Sequence, residues 1–176
     1  MFLQTARLLL RPVTAADVDD LFLIYGAPAT NAFNPAGPYP DRLHAEGVMG
    51  RWLAHWQANG FGNWRIALKT APDETIGFGG LSLSRYADVD INNLGYRFAT
   101  AAWGQGLATE FALRAVRCGF DILELGEISA VVRGNHLASR KVLTNAGLRY
   151  VRDIHDVPDA PPSLLYTLTR DDWRGG

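Results

Sequence analysis

In the stretch Trp103-Gly104-Gln105-Gly106-Leu107-Ala108-Thr109-Glu110, small residues recur at alternating positions: Gly104, Gly106 and Ala108. Glycine lets the backbone turn tightly and leaves its N–H groups uncovered. The run follows a strand-like segment, Leu94-Gly95-Tyr96-Arg97-Phe98, and opens a helix-like run that ends near Phe120. A helix start adds N–H donors with no intrahelical partner and the positive end of the helix dipole. Together these features make an anion site, most often one for phosphate. A P-loop needs a Lys-Ser/Thr pair after its last glycine, where Leu107-Ala108 stand here, so that loop is excluded. A dinucleotide turn normally follows the first strand of its domain and carries a third glycine. Here several strands and two helices come first and Glu110 stands near that place, which leaves a dinucleotide-binding protein as the weakest reading.

Other residues with chemical potential read as structural. His44, His55, His136 and His155 lack metal-ligand spacing, so no metal is expected. Cys118 falls on the apolar stripe of a helix, the place of a buried structural thiol rather than a nucleophile. His55 is a candidate proton acceptor by residue type, but beside Arg51, Trp52 and Trp56 it reads as a helix-surface residue. Asp88 and Asp90 are solvated turn-formers.

The elements that must position the loop follow from periodicity. Arg7-Leu8-Leu9-Leu10-Arg11-Pro12 reads as a strand with its arginines at solvated ends. Thr14 is a candidate N-cap for a helix over 15–25, where Val18, Leu21, Phe22 and Tyr25 recur at helical spacing. Residues 26–40, rich in Gly, Pro, Ala and Asn, form a loop long enough to suggest a function. Asp41 caps a second helix that Asn59-Gly60 ends. Strands over 63–69 and 75–84 pair through a turn at Pro72-Asp73-Glu74, and Asp88-Val89-Asp90 forms a polar turn before a central strand over 91–98. In the helix after the glycine loop, Leu107, Phe111, Ala115 and Cys118 form one stripe, and Ala108, Ala112 and Val116 a small-residue stripe beside it. A strand over 128–132, a helix over 136–146 stopped by Gly147, a strand over 148–153, a proline-bearing loop and a last strand over 163–169 complete the chain. Helices fall between strands, the mark of one α/β domain over residues 1–176 with a mixed sheet.

The bulk properties suit such a domain. The 176 residues are 48% hydrophobic and 20% charged, with a formal net charge of −1. That balance favours neither nucleic acid nor an anionic membrane. One cysteine precludes an internal disulfide and fits a reducing compartment. The N-terminal residues do not read as a signal peptide and no apolar run reaches bilayer length, so a cytoplasmic location is expected.

Several segments, in order, resemble the GNAT superfamily of N-acetyltransferases, in particular its branch of ribosomal-protein N-terminal acetyltransferases. They are Arg7-Leu8-x-Leu10-Arg11-Pro12, Ile76-Gly77 with Leu94-Gly95-Tyr96, the loop Trp103 to Glu110, Ala138-Ser139-Arg140-Lys141-Val142-Leu143 with Gly147-Leu148, and Tyr166-x-Leu168-Thr169-Arg170 with Trp173. The resemblance implies a mixed, mostly antiparallel sheet of about seven strands flanked by four helices. It implies acetyl-CoA as cosubstrate. The pyrophosphate would lie on the backbone of Gln105, Gly106, Leu107, Ala108 and Thr109, joined by Trp103 and Gly104, and the pantetheine arm along Phe98, Ala99 and Thr100. Backbone N–H groups near Phe98 and Ala99 would polarise the thioester carbonyl. Ser139 matches a serine whose hydroxyl lies near the CoA sulfur and is the catalytic candidate; it also reads simply as a serine bonding its local backbone. The family's asparagine falls three residues before that serine, at His136; either Asn135 shifts into the role, capping the helix, or His136 substitutes. Some members carry a carboxylate where Asn93 stands, so the general base is not visible.

Phe33 and Tyr39 in the 26–40 loop, with Trp52, are expected to line an acceptor pocket, whereas Trp56 reads as a core anchor. The implied reaction is acetyl transfer from acetyl-CoA to a primary amine, a protein N-terminus or a small amine, by direct attack in a ternary complex. A non-catalytic CoA-binding module is the alternative. Paired edge strands are compatible with a homodimer.

Overall fold

Strand β2 (Leu8–Pro12) buries Leu8 and Leu10 and leaves Leu9 and Arg11 half-buried, the period-two pattern that faces one side of a sheet inward. It pairs antiparallel with β3 (Asn63–Leu68), in register from Leu8↔Leu68 to Pro12↔Trp64. The computed structural model describes residues 1–175 and divides into two compact units. The first comprises Met1–Ser82 and Tyr96–Leu107, the second Leu83–Gly95 and Ala108–Gly176.

In the first unit a short outer strand, β1 (Leu3–Gln4), flanks β2, and β4 (Gly77–Tyr86) lies on the far side of β3. Asn63 of β3 stands opposite Gly80 of β4, and glycine is required there. A Cβ on Gly80 would come within 2.1 Å of the Gly62 carbonyl oxygen and 2.6 Å of the Asn63 Cα. The end of β5 (Val89–Phe98) closes against β4, with the Ala99 N–H donating to the Ile76 carbonyl at 2.8 Å.

Two helices cover this part of the sheet. Helix α1 (Val18–Tyr25) buries Val18, Leu21, Ile24 and Tyr25; α2 (Arg42–Asn59) buries Ala45, Val48 and Met49, and both pack with Phe78 of β4. Each large apolar side chain so buried contributes about 1.5–3 kcal/mol. Asp41 caps α2 by accepting from the His44 N–H at 2.8 Å, and Gly60, at φ +74°, ends it. Helix α1 starts differently from expectation. Thr14 precedes a single 3-10 turn, Ala15–Asp17, and Asp17 precedes α1 itself. Arg11 is only partly solvated, because it forks onto the buried Asp17, two N–H donors at 2.8 Å each. Burial alone would push the Asp17 carboxyl up, yet the hydrogen bonds from Arg11 and the Thr14 N–H, with the charge of Arg11, hold it below the usual carboxylate range.

The second unit holds the outer part of β4 and the start of β5, then β6 (Glu127–Arg133), β8 (Ser163–Thr169) and β7 (Arg149–Ile154), in that order. β5 meets β6 in parallel, with Asn93 opposite Ser129. β6 and β8 are antiparallel over seven residue pairs, where the Ser129 and Thr167 hydroxyls share a 2.8 Å hydrogen bond. The turn between β4 and β5 falls at Ala87-Asp88, with Ala87 at φ +54°, and not at Asp88-Val89-Asp90 as expected; Val89 and Asp90 already belong to β5. Helix α3 (Leu107–Asp121) buries Phe111, Ala115 and Cys118 on one stripe and Ala112 and Val116 on the next. Helix α4 (Leu137–Asn145) precedes Gly147, at φ +99°, and α5 (Arg170–Gly175) brings Trp173 onto Phe120, ring centroids 5.1 Å apart.

Among the described residues eight strands are hydrogen-bonded in one mixed sheet, parallel at β5–β6, in an α/β fold. The family resemblance implied about seven strands and four helices. Among the described residues there are eight strands and five helices, because two-residue β1 and six-residue α5 are too short for periodicity to register.

Candidate active site

The loop expected to hold an anion is built by bonds within its own neighbourhood. Residues Thr100–Ala102 form one 3-10 turn, and Ala102 is buried beneath it. The Trp103 indole N–H reaches back to the Phe98 carbonyl at 3.0 Å, and the Gln105 side-chain amide donates to the Ala101 carbonyl at 3.1 Å. Gly104 and Gly106 stand at φ +75° and +76°, a region that L side chains rarely adopt. Leu107, buried, then anchors the first turn of α3. A Cβ on Gly104 would meet nothing within 4 Å, and one on Gly106 would meet Arg7 Nη2 at 3.6 Å. The loop is thus an exposed cradle that glycine keeps open, leading into a helix N-terminus.

Arg7 completes this cradle and was not singled out as a site residue from sequence. Its Nη1 donates to the Gln105 carbonyl at 2.8 Å, which brings a guanidinium to the glycine loop. A phosphate-bearing group fits these residues, since open backbone, helix start and cation favour the same charge.

The strand end leading into the cradle is only partly available. The Ala99 N–H already donates to the Ile76 carbonyl at 2.8 Å, so it is not an open donor for a thioester oxygen. Ser139 is the third residue of α4, half-buried. Asn135 does not cap that helix. His136 occupies the N-cap without a side-chain cap bond, and exposed Asn135 contributes its carbonyl to the Leu137 N–H at 3.0 Å.

The expected acceptor wall is an aromatic group around Tyr25. Tyr39 and Trp52 flank its ring, with centroids 5.4 and 5.9 Å away, while Phe33 is exposed at the loop tip. Burial pushes the phenols of Tyr25 and Tyr39 up, and the positive charge of Arg97 pulls both the other way. Arg97, on β5, lies over the Tyr25 ring, its Cζ 4.4 Å from the centroid. Its Nη1 donates to Asn31 Oδ1 at 2.8 Å. Trp56, by contrast, is a core anchor: its indole donates to the Asn63 carbonyl at 2.7 Å and its ring meets Trp64 edge-on. His55 Nδ1 bonds the Phe61 carbonyl at 2.8 Å, a structural bond. Asp90 pairs with Arg85 at 3.1 Å, both exposed.

Residues 7–149 match the family model described as an acetyltransferase (GNAT) domain. The chain belongs to the GNAT acetyltransferase family. It is 30% identical over 131 residues to the FsC-acetyl coenzyme A-N(2)-transacetylase of Aspergillus fumigatus, covering 71% of this chain and 52% of that protein; the chain thus spans about half that relative's length. An acetyltransferase of Agrobacterium tumefaciens superposes with a TM-score of 0.79 at 26% identity, over 96% of this chain and 94% of that one. The aminoglycoside acetyltransferase AAC(6')-Ib, solved in complex with coenzyme A, shares the fold at a TM-score of 0.75 and 16% identity, over 96% and 98% of the two chains.

The family is one of acetyltransferases, and the name of the Aspergillus relative gives acetyl coenzyme A as that protein's donor. The glycine cradle is the part of the candidate site that the sequence made most legible. Arg7 and Arg97 were harder to find, because each acts on a residue far along the chain. Among the described residues, no helix is long and apolar enough to cross a membrane.

Proposed function

We propose that this GNAT enzyme transfers the acetyl group of acetyl-CoA to a primary amine, on a small molecule or a protein N-terminus, by direct attack within a ternary complex. The reading places it in the cytoplasm and uses no metal. The observation that carries it is the cradle of Gly104 and Gly106, both at positive φ and held by Arg7. Backbone N–H groups from Gln105 to Thr109, with Gly104 and Trp103 shaping the loop, receive the pyrophosphate. Phe98, Ala99 and Thr100 guide the pantetheine arm with Asn135, and the Phe98 N–H serves the carbonyl oxygen as its negative charge develops. Ser139 supplies the hydroxyl beside the departing sulfur. Tyr39, Trp52 and Phe33 form the acceptor side. The name of the Aspergillus relative joins acetyl coenzyme A to an N(2) transfer, which supports a nitrogen acceptor.

Calorimetric titration with acetyl-CoA tests the donor half, and a panel of amines read by mass spectrometry for one added acetyl group tests the transfer. Ser139→Ala is expected to lower kcat by about 10- to 100-fold while cofactor affinity stays within about twofold. Absence of acetyl-CoA binding at high micromolar concentration would sink the reading. Binding without turnover on any amine would favour a non-catalytic CoA-binding module.

A further inference from the structure

Arg97 is half-buried, and no carboxylate among the described residues pairs with it. It spends one N–H on Asn31 Oδ1 and rests its face on Tyr25, which leaves most of its five donors uncommitted. Two more polar groups beside it are unanswered. Neither the Tyr25 hydroxyl nor the Tyr39 hydroxyl has a hydrogen-bond partner among the described residues. A tyrosine hydroxyl on a buried ring normally finds a partner. Neither hydroxyl is a sealed, unpartnered atom of the fold, so both open onto accessible space. An unpaired guanidinium and two phenols that the protein leaves unanswered, walled by Trp52, are groups arranged for something other than the protein.

We propose that Arg97, Tyr25 and Tyr39 form an acceptor subsite for a carboxylate, so that the amine acetylated is one that carries a carboxylate close by, as a free amino acid does. The inference rests on the acetyl-transfer reading above and narrows it. The planar fork of a guanidinium matches the two oxygens of a carboxylate, and phenol hydroxyls add donors to the same anion. An unpaired cation in the wall opposes polyamine-like acceptors by like-charge repulsion. Arg97 also immediately precedes Phe98, so the anchor and the segment assigned to the donor arm share one strand. Asn31 fixes the guanidinium against the Tyr25 ring, which limits the ordering left to binding.

The test compares the standard L-amino acids with their carboxamides, which keep the amine and lose the negative charge. Acetyl-CoA affinity is measured calorimetrically on the same proteins. At least one amino acid is expected to exceed its carboxamide by about tenfold in kcat/KM, with the ratio collapsing to about one in Arg97→Gln at unchanged acetyl-CoA affinity. Tyr39→Phe, which keeps the ring and the Arg97–Asn31 bond, is expected to lower the ratio by about threefold. Carboxamides equal to the acids, or equal losses on both acceptors in Arg97→Gln and Tyr39→Phe, overturn the subsite and leave Arg97 as a strut for the loop. Transfer to peptide N-termini with none to amino acids overturns it as well, while the acetyl-transfer reading stands. Failure to bind acetyl-CoA at all removes that reading first.

Discussion

Arg7 and Gln105 stand 98 positions apart in the chain, yet the guanidinium of the first donates to the backbone carbonyl of the second at 2.8 Å. The bond fixes a peptide between two positive-φ glycines, so the residue that leads into β2 also sets the loop assigned to the donor. An exposed, charge-assisted hydrogen bond of this kind stabilises by about 1 kcal/mol. Arg7→Met is therefore expected to weaken acetyl-CoA binding about fivefold by calorimetry. Raising the salt concentration should cost the wild type more affinity than the variant. Equal affinities would show that Arg7 does not act on the loop.

Gly106 separates backbone conformation from access. Alanine there costs about 1 kcal/mol for positive φ, and an ordinary melting curve should fall by about 2–4 °C. Asparagine tolerates that region better, so Gly106→Asn is expected to recover much of the stability. Neither variant is expected to recover acetyl-CoA affinity, because both put a side chain over the cradle. An affinity that follows stability instead would mean that the loop's uncovered N–H groups are not the contact.

The Arg11–Asp17 fork links β2 to the 3-10 turn that precedes α1, and its contribution depends on pH. The Asp17 carboxyl is held below its ordinary 3.8 in the folded protein. Its stabilisation is present above that value and is lost as pH falls from there through the lower folded pKa. Asp17→Asn is expected to cost about 2 kcal/mol in denaturant titration at neutral pH. The gap from wild type should narrow progressively below pH of about 4. A gap that is constant with pH would exclude ionisation of Asp17 as its source.

Cys118 is fully buried on α3, and burial pushes its thiol up. A thiol so placed is a poor nucleophile at neutral pH. The native protein is expected to resist an aromatic disulfide reagent that labels it promptly once unfolded. Cys118→Ala is expected to keep its turnover, with no burst of acetyl-enzyme in either protein. A burst in the wild type that the variant lacks would establish the covalent route.

What was legible in the sequence was local or periodic. Asp41 and Gly60 bracket α2 because a cap and a left-handed stop act within one turn of chain. Leu107, Phe111, Ala115 and Cys118 face the core because helical spacing allows little else. Expectations were lost where a residue's role came from a distant partner. Arg11 sits at the end of its strand as expected, but its guanidinium is tied to the buried Asp17. Ala99 carries a backbone donor, but Ile76 uses it. The polar turn slipped because two aspartates drew it toward Asp88-Val89-Asp90, whereas Ala87 takes the positive φ. In the candidate site the glycines were evident from type and spacing, while Arg97 was only one residue of a strand-like segment.

Asn31 carries a consequence for how this enzyme could change. Its side chain donates to the carbonyls of Tyr25 and Ala27, each at 2.8 Å, and accepts from Asn34 and Arg97 at 3.0 and 2.8 Å. One amide thus bolts the base of the 26–40 loop to both the helix before it and the strand across from it. The tip beyond, with exposed Ala32, Phe33, Pro35 and Ala36, lies outside that fastening. The loop is modular: selection or a library can rewrite its tip to admit new acceptors, while Asn31 keeps the frame on which each rewrite is tried.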